Sequence, residues 1–282
     1  MKKLTSLLLV LALVAACAGC GSKDDGKQTE AASTTAAQAE TEAVTTASAD
    51  ETEAATTAAG TPEEASGDVM TYAEYVAAEL DTEVVIETYV QAKQSWWEDK
   101  ATVYTQDQDG AYFLYDMACS EEDYEKLTPG TKIRVTGYKS EWSGEVEIID
   151  ATFEIVEAQD NFIAEALDVT DLLGSDELID HQNQFVSFKG MTVEASKDAD
   201  GNEATFLYKW DGSGQDGDDL YFNVSKDGET YTFTVESYLC DNTTDVYAAV
   251  KELKAGDVID MEGFLYWYEG VNPHITSVQA VK

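Results

Sequence analysis

The residues of this chain best suited to chemistry are its clustered aromatic rings. Tyr138 and Trp142 form one group, Tyr266, Trp267 and Tyr268 beside Phe264 a second, and Trp96 and Trp97 a third. Rings grouped in this way can stack on sugar rings or bases and can hold cations over their faces. They can also fill a core. Trp96, Trp97, Tyr138, Trp142, Tyr266, Trp267 and Tyr268 are therefore the candidate ligand-binding residues. A second group is acidic. Asp198-Ala-Asp200-Gly201-Asn202-Glu203 looks like part of a calcium loop. An EF-hand loop needs oxygen ligands at alternate positions, glycine sixth and glutamate twelfth. Here glycine comes fourth and Lys209 twelfth, so this is no EF-hand. Asp198, Asp200 and Asn202 remain as candidates for a loose calcium site, and no other cofactor is indicated. His181 and His274 are the only histidines, and neither has metal-ligand spacing to another His or Cys. Neither stands near a serine in a nucleophile setting. There is no phosphate loop and no dinucleotide fingerprint. Paired carboxylates occur throughout so acidic a chain and say nothing about glycoside hydrolysis. No catalytic residue is assigned, and a non-catalytic binding protein is expected.

The charge balance bounds the partners. Asp and Glu number 56 against 17 Lys and Arg, a net charge of −39, and Arg134 is the sole arginine. Proteins that bind nucleic acid neutralise phosphates with Lys and Arg. A field of the opposite sign repels polyanions. On composition, then, nucleic acid is not expected as a partner, and a glycan or a cationic protein or peptide is.

The elements that must position these residues are legible from an internal repeat. Leu127, Gly130, Ile133, Val135, Gly137 and Tyr138 recur as Leu253, Gly256, Ile259, Met261, Gly263 and Phe264, and Trp142 and Gly144 as Tyr268 and Gly270. Every pair is 126 residues apart, which implies tandem units. Ser120 reads as the cap of a short helix ending at Leu127, and Asn242, Thr243 or Thr244 as the cap of one ending at Leu253. Gly130 and Gly256 suit the turns out of those helices. Gly137 and Gly263 suit a bulge where a strand bends. Strand patterns precede each helix at Val84 to Ser95, Ala101 to Thr105 and Ala111 to Met117, and at Phe185 to Ala195, Leu220 to Val224 and Tyr231 to Val235. Final strands run near Glu145 to Val156 and Ile275 to Val281. The expected fold is mainly β: two tandem five-stranded Greek-key barrels, each with a helix between its third and fourth strands. That is the order of the oligonucleotide/oligosaccharide-binding (OB) architecture. The units are expected over residues 69–158 and 184–282, with a connector over 159–183 in which Leu167, Val169, Leu172 and Leu173 suggest a helix. Thr71 to Leu80 suggests another. In OB barrels the loop after strand one and the loop between strands four and five flank the ligand face, where the aromatic groups fall. Cys119 and Cys240 stand at the ends of strand patterns, one in each half. Buried free thiols are expected there, although an even count outside the cytoplasm also permits a disulfide.

Residues 1–20 carry two lysines, an apolar run from Leu4 to Ala16, and small residues around Cys17 and Cys20. This is the pattern of a secretory signal, and the run is shorter than the ~20 residues of a membrane-spanning helix. Val14-Ala15-Ala16-Cys17 resembles the lipobox of bacterial lipoproteins. The resemblance implies lipid transfer to the Cys17 sulfur, with Cys20 as second choice, and cleavage before it. Residues 21–68 lack aromatic residues and nearly all large aliphatic ones, so a disordered Ala/Thr/Glu-rich stalk is expected. The location expected is extracytoplasmic, lipid-anchored to a bacterial cell membrane and exposed in the wall or at the surface. The stretches Thr71-Tyr-Ala-Glu74, Thr82-Glu-Val-Val-Ile86, Ala101 to Tyr115 and Leu127-Thr-Pro-Gly-Thr-Lys-Ile-Arg-Val-Thr-Gly137 resemble OB-fold modules of secreted bacterial lipoproteins and of some extracellular nucleases. The likeness covers Thr71 to Glu157 and, more weakly, Gln184 to Lys282. It implies the fold, and as alternative functions a nucleic-acid-binding module, or a calcium-dependent or accessory subunit of an extracellular hydrolase.

Overall fold

The computed structural model describes residues 68–157 and 161–281. The signal segment with Cys17 and Cys20, and the expected stalk up to residue 67, lie outside the described residues. Helix α1 (Tyr72–Ala77) opens on a capping box. The Thr71 hydroxyl accepts the Glu74 N–H at 3.3 Å, and the Glu74 carboxylate accepts the Thr71 N–H at 2.8 Å. Strands β1 (Glu83–Lys93), β2 (Lys100–Gln106) and β3 (Ala111–Ala118) then form a meander. Asp107 shapes the β2–β3 turn by accepting the Asp109 and Gly110 N–H groups. Helix α2 (Glu121–Lys126) is capped by Ser120, as its sequence suggests. Strands β4 (Lys132–Trp142) and β5 (Glu145–Ile155) close a barrel in the order β1-β2-β3-β5-β4, with β3 and β5 parallel.

Among its described residues the connector makes no α-helix. It holds β6 (Leu167–Asp168) and two 3-10 turns, Thr170–Leu172 and Asp176–His181. One oxygen of Asp168 accepts both the N–H and the hydroxyl of Thr170, at 3.1 and 2.6 Å. That local bonding competes with helix propagation.

The second barrel begins with β7 (Phe185–Glu194). An insertion follows, carrying β8 (Ser196–Lys197), β9 (Glu203–Ala204) and β10 (Leu207–Tyr208). Then come β11 (Leu220–Lys226), β12 (Glu229–Val235), α3 (Asp245–Glu252), β13 (Val258–Phe264) and β14 (His274–Ala280). Pairing runs β11-β12-β14-β13-β7 and returns from β7 to β11, so this sheet also closes. Both barrels are therefore OB-like, with the helix between strands three and four.

The repeated glycines have one physical reason each. Gly130 and Gly256 have φ of +86° and +90° at the turns leaving the helices. Gly137 and Gly263 sit beside register shifts in the β4–β5 and β13–β14 pairs. A Cβ at Gly263 would lie 2.2 Å from the His274 carbonyl oxygen, and one at Gly137 2.9 Å from that of Ile149. Alternate residues of each strand point inward, which gives one core around Ile86, Leu114, Ile133 and Ile148 and another around Phe188, Phe222, Phe233 and Ile259. Cys119 and Cys240 are buried free thiols, each pushed up to about 11 chiefly by burial. A third cluster, Tyr104, Phe113 and Phe264, joins the two barrels.

Candidate ligand cleft between the barrels

The junction is built from stacked rings. Tyr104 of β2 lies parallel to Phe264 at 4.3 Å between centroids, and its hydroxyl is 2.7 Å from His274 Nδ1. Burial lowers the His274 pKa to about 3, so the imidazole is neutral and shares a single proton-ordered hydrogen bond with the phenol. The turns between strands four and five of the two barrels also meet. Glu145 Oε2 accepts the Trp267 N–H at 2.8 Å, and the Ser143 carbonyl accepts the Glu269 N–H at 2.8 Å. Trp142 and Tyr268, equivalent positions in the repeat, pack at 5.1 Å. Ser95, in the loop after β1, donates its N–H to the Tyr238 carbonyl at 2.7 Å.

Beside this junction opens a cleft of about 740 Å³, within the range of small-molecule sites. The first barrel contributes Phe113 and Tyr115 of β3, Trp142 at the end of β4, and Gln94. The second contributes Trp210 of the insertion, Tyr221 of β11, Glu236 just past β12, and Tyr266, Tyr268, Glu269, Asn272 and His274 around the β13–β14 turn. Tyr266 stacks on His274 at 4.3 Å and meets Phe113 edge-on at 5.4 Å. Trp142 and Trp210 are 53% and 76% exposed, which leaves ring faces free to stack on a ligand. Among the described residues no Lys or Arg lines the cleft.

Burial raises the pKa of one acid of the lining, Glu236, and of one outside it, Glu147. Glu236 is pushed up to about 7 by burial, which outweighs the Tyr238 and Leu239 N–H groups bonded to its two oxygens. Glu147, whose charge acts on Tyr115 and Tyr266, is likewise pushed up to about 7 by burial and then by Asp116. Near pH 7 both exchange protons readily and can donate or accept a hydrogen bond.

Of the residues singled out from sequence, Trp142, Tyr266 and Tyr268 come together in the cleft. Trp267 packs against the second core. Trp96 donates its indole N–H to the Cys119 carbonyl at 2.9 Å, and Trp97 is exposed in the same loop without lining the cleft. Tyr138 lies on the outer surface of the first barrel with its hydroxyl 3.5 Å from Glu83. The Asp198 carboxylate is used within its own turn, accepting the Asp200 and Asn202 N–H groups and the Asn202 side-chain amide. Among the described residues no group of three or more Asp, Glu, His or Cys is placed to hold a metal ion. Sequence reasoning missed Trp210, Tyr115, Tyr221 and Glu236. The available signal was a tryptophan between two acidic turns in an insertion that the first unit lacks.

No protein-family profile matches the chain, and no curated protein matches it. Solved structures do. A murine DNA binding protein bound with double-stranded DNA aligns over 70% of this chain and 96% of its own, at 10% identity and a TM-score of 0.35. The Ifi202 HINa domain in complex with 20-base-pair DNA aligns over 72% and 97%, at 12% identity and 0.32. A replication protein A heterotrimer bound to single-stranded DNA aligns over 70% and 48%, at 13% identity and 0.30. Similarity at this distance concerns barrel architecture, and what those proteins bind is said of them alone. One expectation is nevertheless corrected. The solved structures similar to this chain include DNA complexes, against the expectation that nucleic acid is set aside as a partner.

Proposed function

We propose that this chain is a non-catalytic OB-fold binding protein that holds a ring-bearing oligomer in the cleft between its barrels. The observation that carries this reading is convergence. The strand-three face and the turn between strands four and five of the first barrel line one cavity with the insertion and the corresponding turn of the second. OB barrels take oligonucleotides and oligosaccharides on these elements. Single-stranded nucleic acid is the first reading. Every base offers a π-face, and stacking on an aromatic side chain contributes about 1–3 kcal/mol per base. With no Lys or Arg among the described residues that line the cleft, stacking carries the affinity and the phosphates point to solvent. The usual salt dependence then reverses. Affinity for an oligonucleotide rises between about 50 and 200 mM salt as repulsion from the acidic chain is screened. An oligosaccharide is the second reading, favoured by Glu236, Glu269 and Asn272 beside the rings, which suit hydroxyl groups.

The test is equilibrium binding of the full chain to oligothymidylate and to neutral glycans at both salt concentrations, repeated with Trp142→Ala and Trp210→Ala. Saturable binding of one class, weakened about 5- to 160-fold in each variant, is expected from the stacking energy. The proposal fails if neither class binds, or if binding is indifferent to both variants.

We also propose that the chain is held outside the cytoplasm by a lipid on Cys17. Support comes from Lys2, Lys3, the Leu4 to Ala16 run and the small residues before the cysteine. Fatty-acid labelling that persists in Cys17→Ser moves the anchor to Cys20, and labelling that persists in the double variant removes it.

A further inference from the structure

A second cavity, of about 670 Å³, opens where the loop after β1 meets β3 and β5. It touches the aromatic cleft only at Tyr115, which lines both. Five acids line it, Glu98, Asp99, Asp116, Glu147 and Asp150, against one ammonium, that of Lys100. Acids by themselves make an ordinary solvated surface, and Glu147 is what sets this group apart. Its strand neighbours Val146 and Ile148 pack on the core of the first barrel, so Glu147 projects from the opposite face of β5. That face is covered, and Glu147 is only 7% exposed. No donor among the described residues reaches its carboxyl. Burial and the charge of Asp116 both push its pKa up, and no hydrogen bond or ion pair pulls it back. Neither of its oxygens is among the polar atoms sealed from solvent without a partner, as Glu145 Oε1 is. The carboxyl is thus nine-tenths buried, unpartnered, and open to the cavity that it lines. Native proteins pair nearly all buried polar groups, so this one marks a place for a donor from outside the chain.

The lining restricts that donor's chemistry. Lys100 does not supply it, because its ammonium is held on Asp116 Oδ2 at 2.9 Å. Asp116 Oδ1 is left to accept from a second donor. An anion is repelled by the lining acids. A neutral amide donates but leaves their charge unbalanced. A cation with N–H groups does both: it makes charge-assisted bonds to the carboxylates and holds Glu147 ionised. Tyr115, 46% exposed, offers a ring face beside which such a cation is also favoured. A metal ion is the other kind of cation, and among the described residues no three acids are placed to hold one. We propose that this cavity is a binding site for an organic cation bearing N–H groups, an ammonium or guanidinium, held by Glu147 and Asp116 beside Tyr115. The site does not depend on what the aromatic cleft holds.

The test titrates butylammonium and butylguanidinium into the full chain at pH 7.5. Salt is kept at about 150 mM, where the general attraction of an acidic chain is screened beyond ~8 Å. Butanamide, a donor without charge, and tetramethylammonium, a charge without N–H, are the controls. Amide NMR signals of Tyr115, Asp116 and Glu147 are followed. Saturable shifts with at least one N–H cation, at least about tenfold tighter than with either control, are expected. Glu147→Gln keeps the shape and removes the charge. It should melt no lower than the parent at this pH, since a buried carboxylate is removed, and should weaken the cation at least about tenfold. Glu229→Gln, at the start of β12 in the other barrel, changes net charge equally and should leave binding alone. Should Glu147→Gln fail to fold, Asp116→Asn gives the same reading, because Asn tolerates the φ of +49° at that position. The proposal is overturned if neither N–H cation saturates, or if a control binds as tightly. It is also overturned if Glu147→Gln binds as the parent does, or if Glu229→Gln weakens binding as much as Glu147→Gln.

Discussion

Replacing Tyr104 by Phe removes a single oxygen from the junction between the barrels. The ring stack on Phe264 is kept, because its 4.3 Å spacing and 14° tilt involve only ring atoms. What is lost is the 2.7 Å bond to His274 Nδ1. Tyr104 is fully buried and His274 is 7% exposed, so water has little access to the nitrogen left behind. A typical net hydrogen bond contributes about 1 kcal/mol, and a buried group left unpaired costs about 1–3 kcal/mol. The expected loss is therefore about 1–3 kcal/mol. With a urea m-value of about 2 kcal/mol/M, the midpoint falls by about 0.5–1.5 M. Urea unfolding at pH 7.5, followed by tryptophan fluorescence, measures this. Because this bond orders the imidazole proton, the parent should show a single tautomer of His274 by NMR, and the variant should show a mixture. A midpoint shift worth less than about 0.5 kcal/mol with an unchanged tautomer would mean that His274 is satisfied in some other way, and the account of the junction would fall.

Three further outcomes follow from the same geometry. Gly263→Ala would put a Cβ 2.2 Å from a backbone carbonyl that cannot swing away. It should cost at least about 2 kcal/mol, some 4–8 °C of melting temperature, whereas Gly256→Ala, with open space but φ of +90°, should cost about 1 kcal/mol. Glu147 and Glu236 have folded-state pKa values raised to about 7, so their stabilisation is complete below about pH 4.5 and lost as pH rises through 7. His274, lowered to about 3, acts oppositely: its contribution is present above about pH 6.5 and lost as pH falls. Two acids outweigh one histidine between pH 4.5 and 6.5, so urea midpoints should decline from about pH 5 to 7, and Glu236→Gln should flatten that decline; midpoints that climb over this range contradict the assignment. Cys119 and Cys240, buried with pKa near 11, should react with a thiol reagent only on unfolding, and fast modification of the native chain by mass spectrometry would show that they are accessible.

The barrels were legible because their signals are local. Ile133, Val135 and Gly137 alternate within one strand, and the 126-residue offset repeats that strand, so β4 and β13 follow from spacing alone. The Ser120 cap and the Asp107 turn depend on groups within a few residues of each other. The cleft depends on how one barrel sits on the other, which no local period encodes. Trp267 and Tyr268 are neighbours in sequence, yet one packs on a core and the other lines the cleft. Trp210 comes from an insertion with no counterpart in the first unit. Net charge misled for a related reason, since a sum over 282 residues describes the far field and not the rings that a ligand would touch.

The two barrels meet through the same turn of each. Trp142 and Tyr268 are counterparts in the repeat and lie against each other, much as equivalent residues do at the twofold axis of a symmetric dimer. In a lone OB barrel that turn flanks the ligand face. Here part of its surface is spent on docking, through the Glu145–Trp267 and Ser143–Glu269 hydrogen bonds, and the remaining ring faces look into a shared cleft. Docking and the proposed ligand binding therefore draw on adjacent residues. Loosening the junction should lower affinity at the cleft even where no lining residue is changed. Tyr104 is such a case: it lies beneath the cleft, holds Phe264 and His274, and lines no part of it. If Tyr104→Phe lost stability but bound ligand as tightly as the parent, the rings would be placed by their own barrels, and the cleft would be two adjoining faces instead of one site.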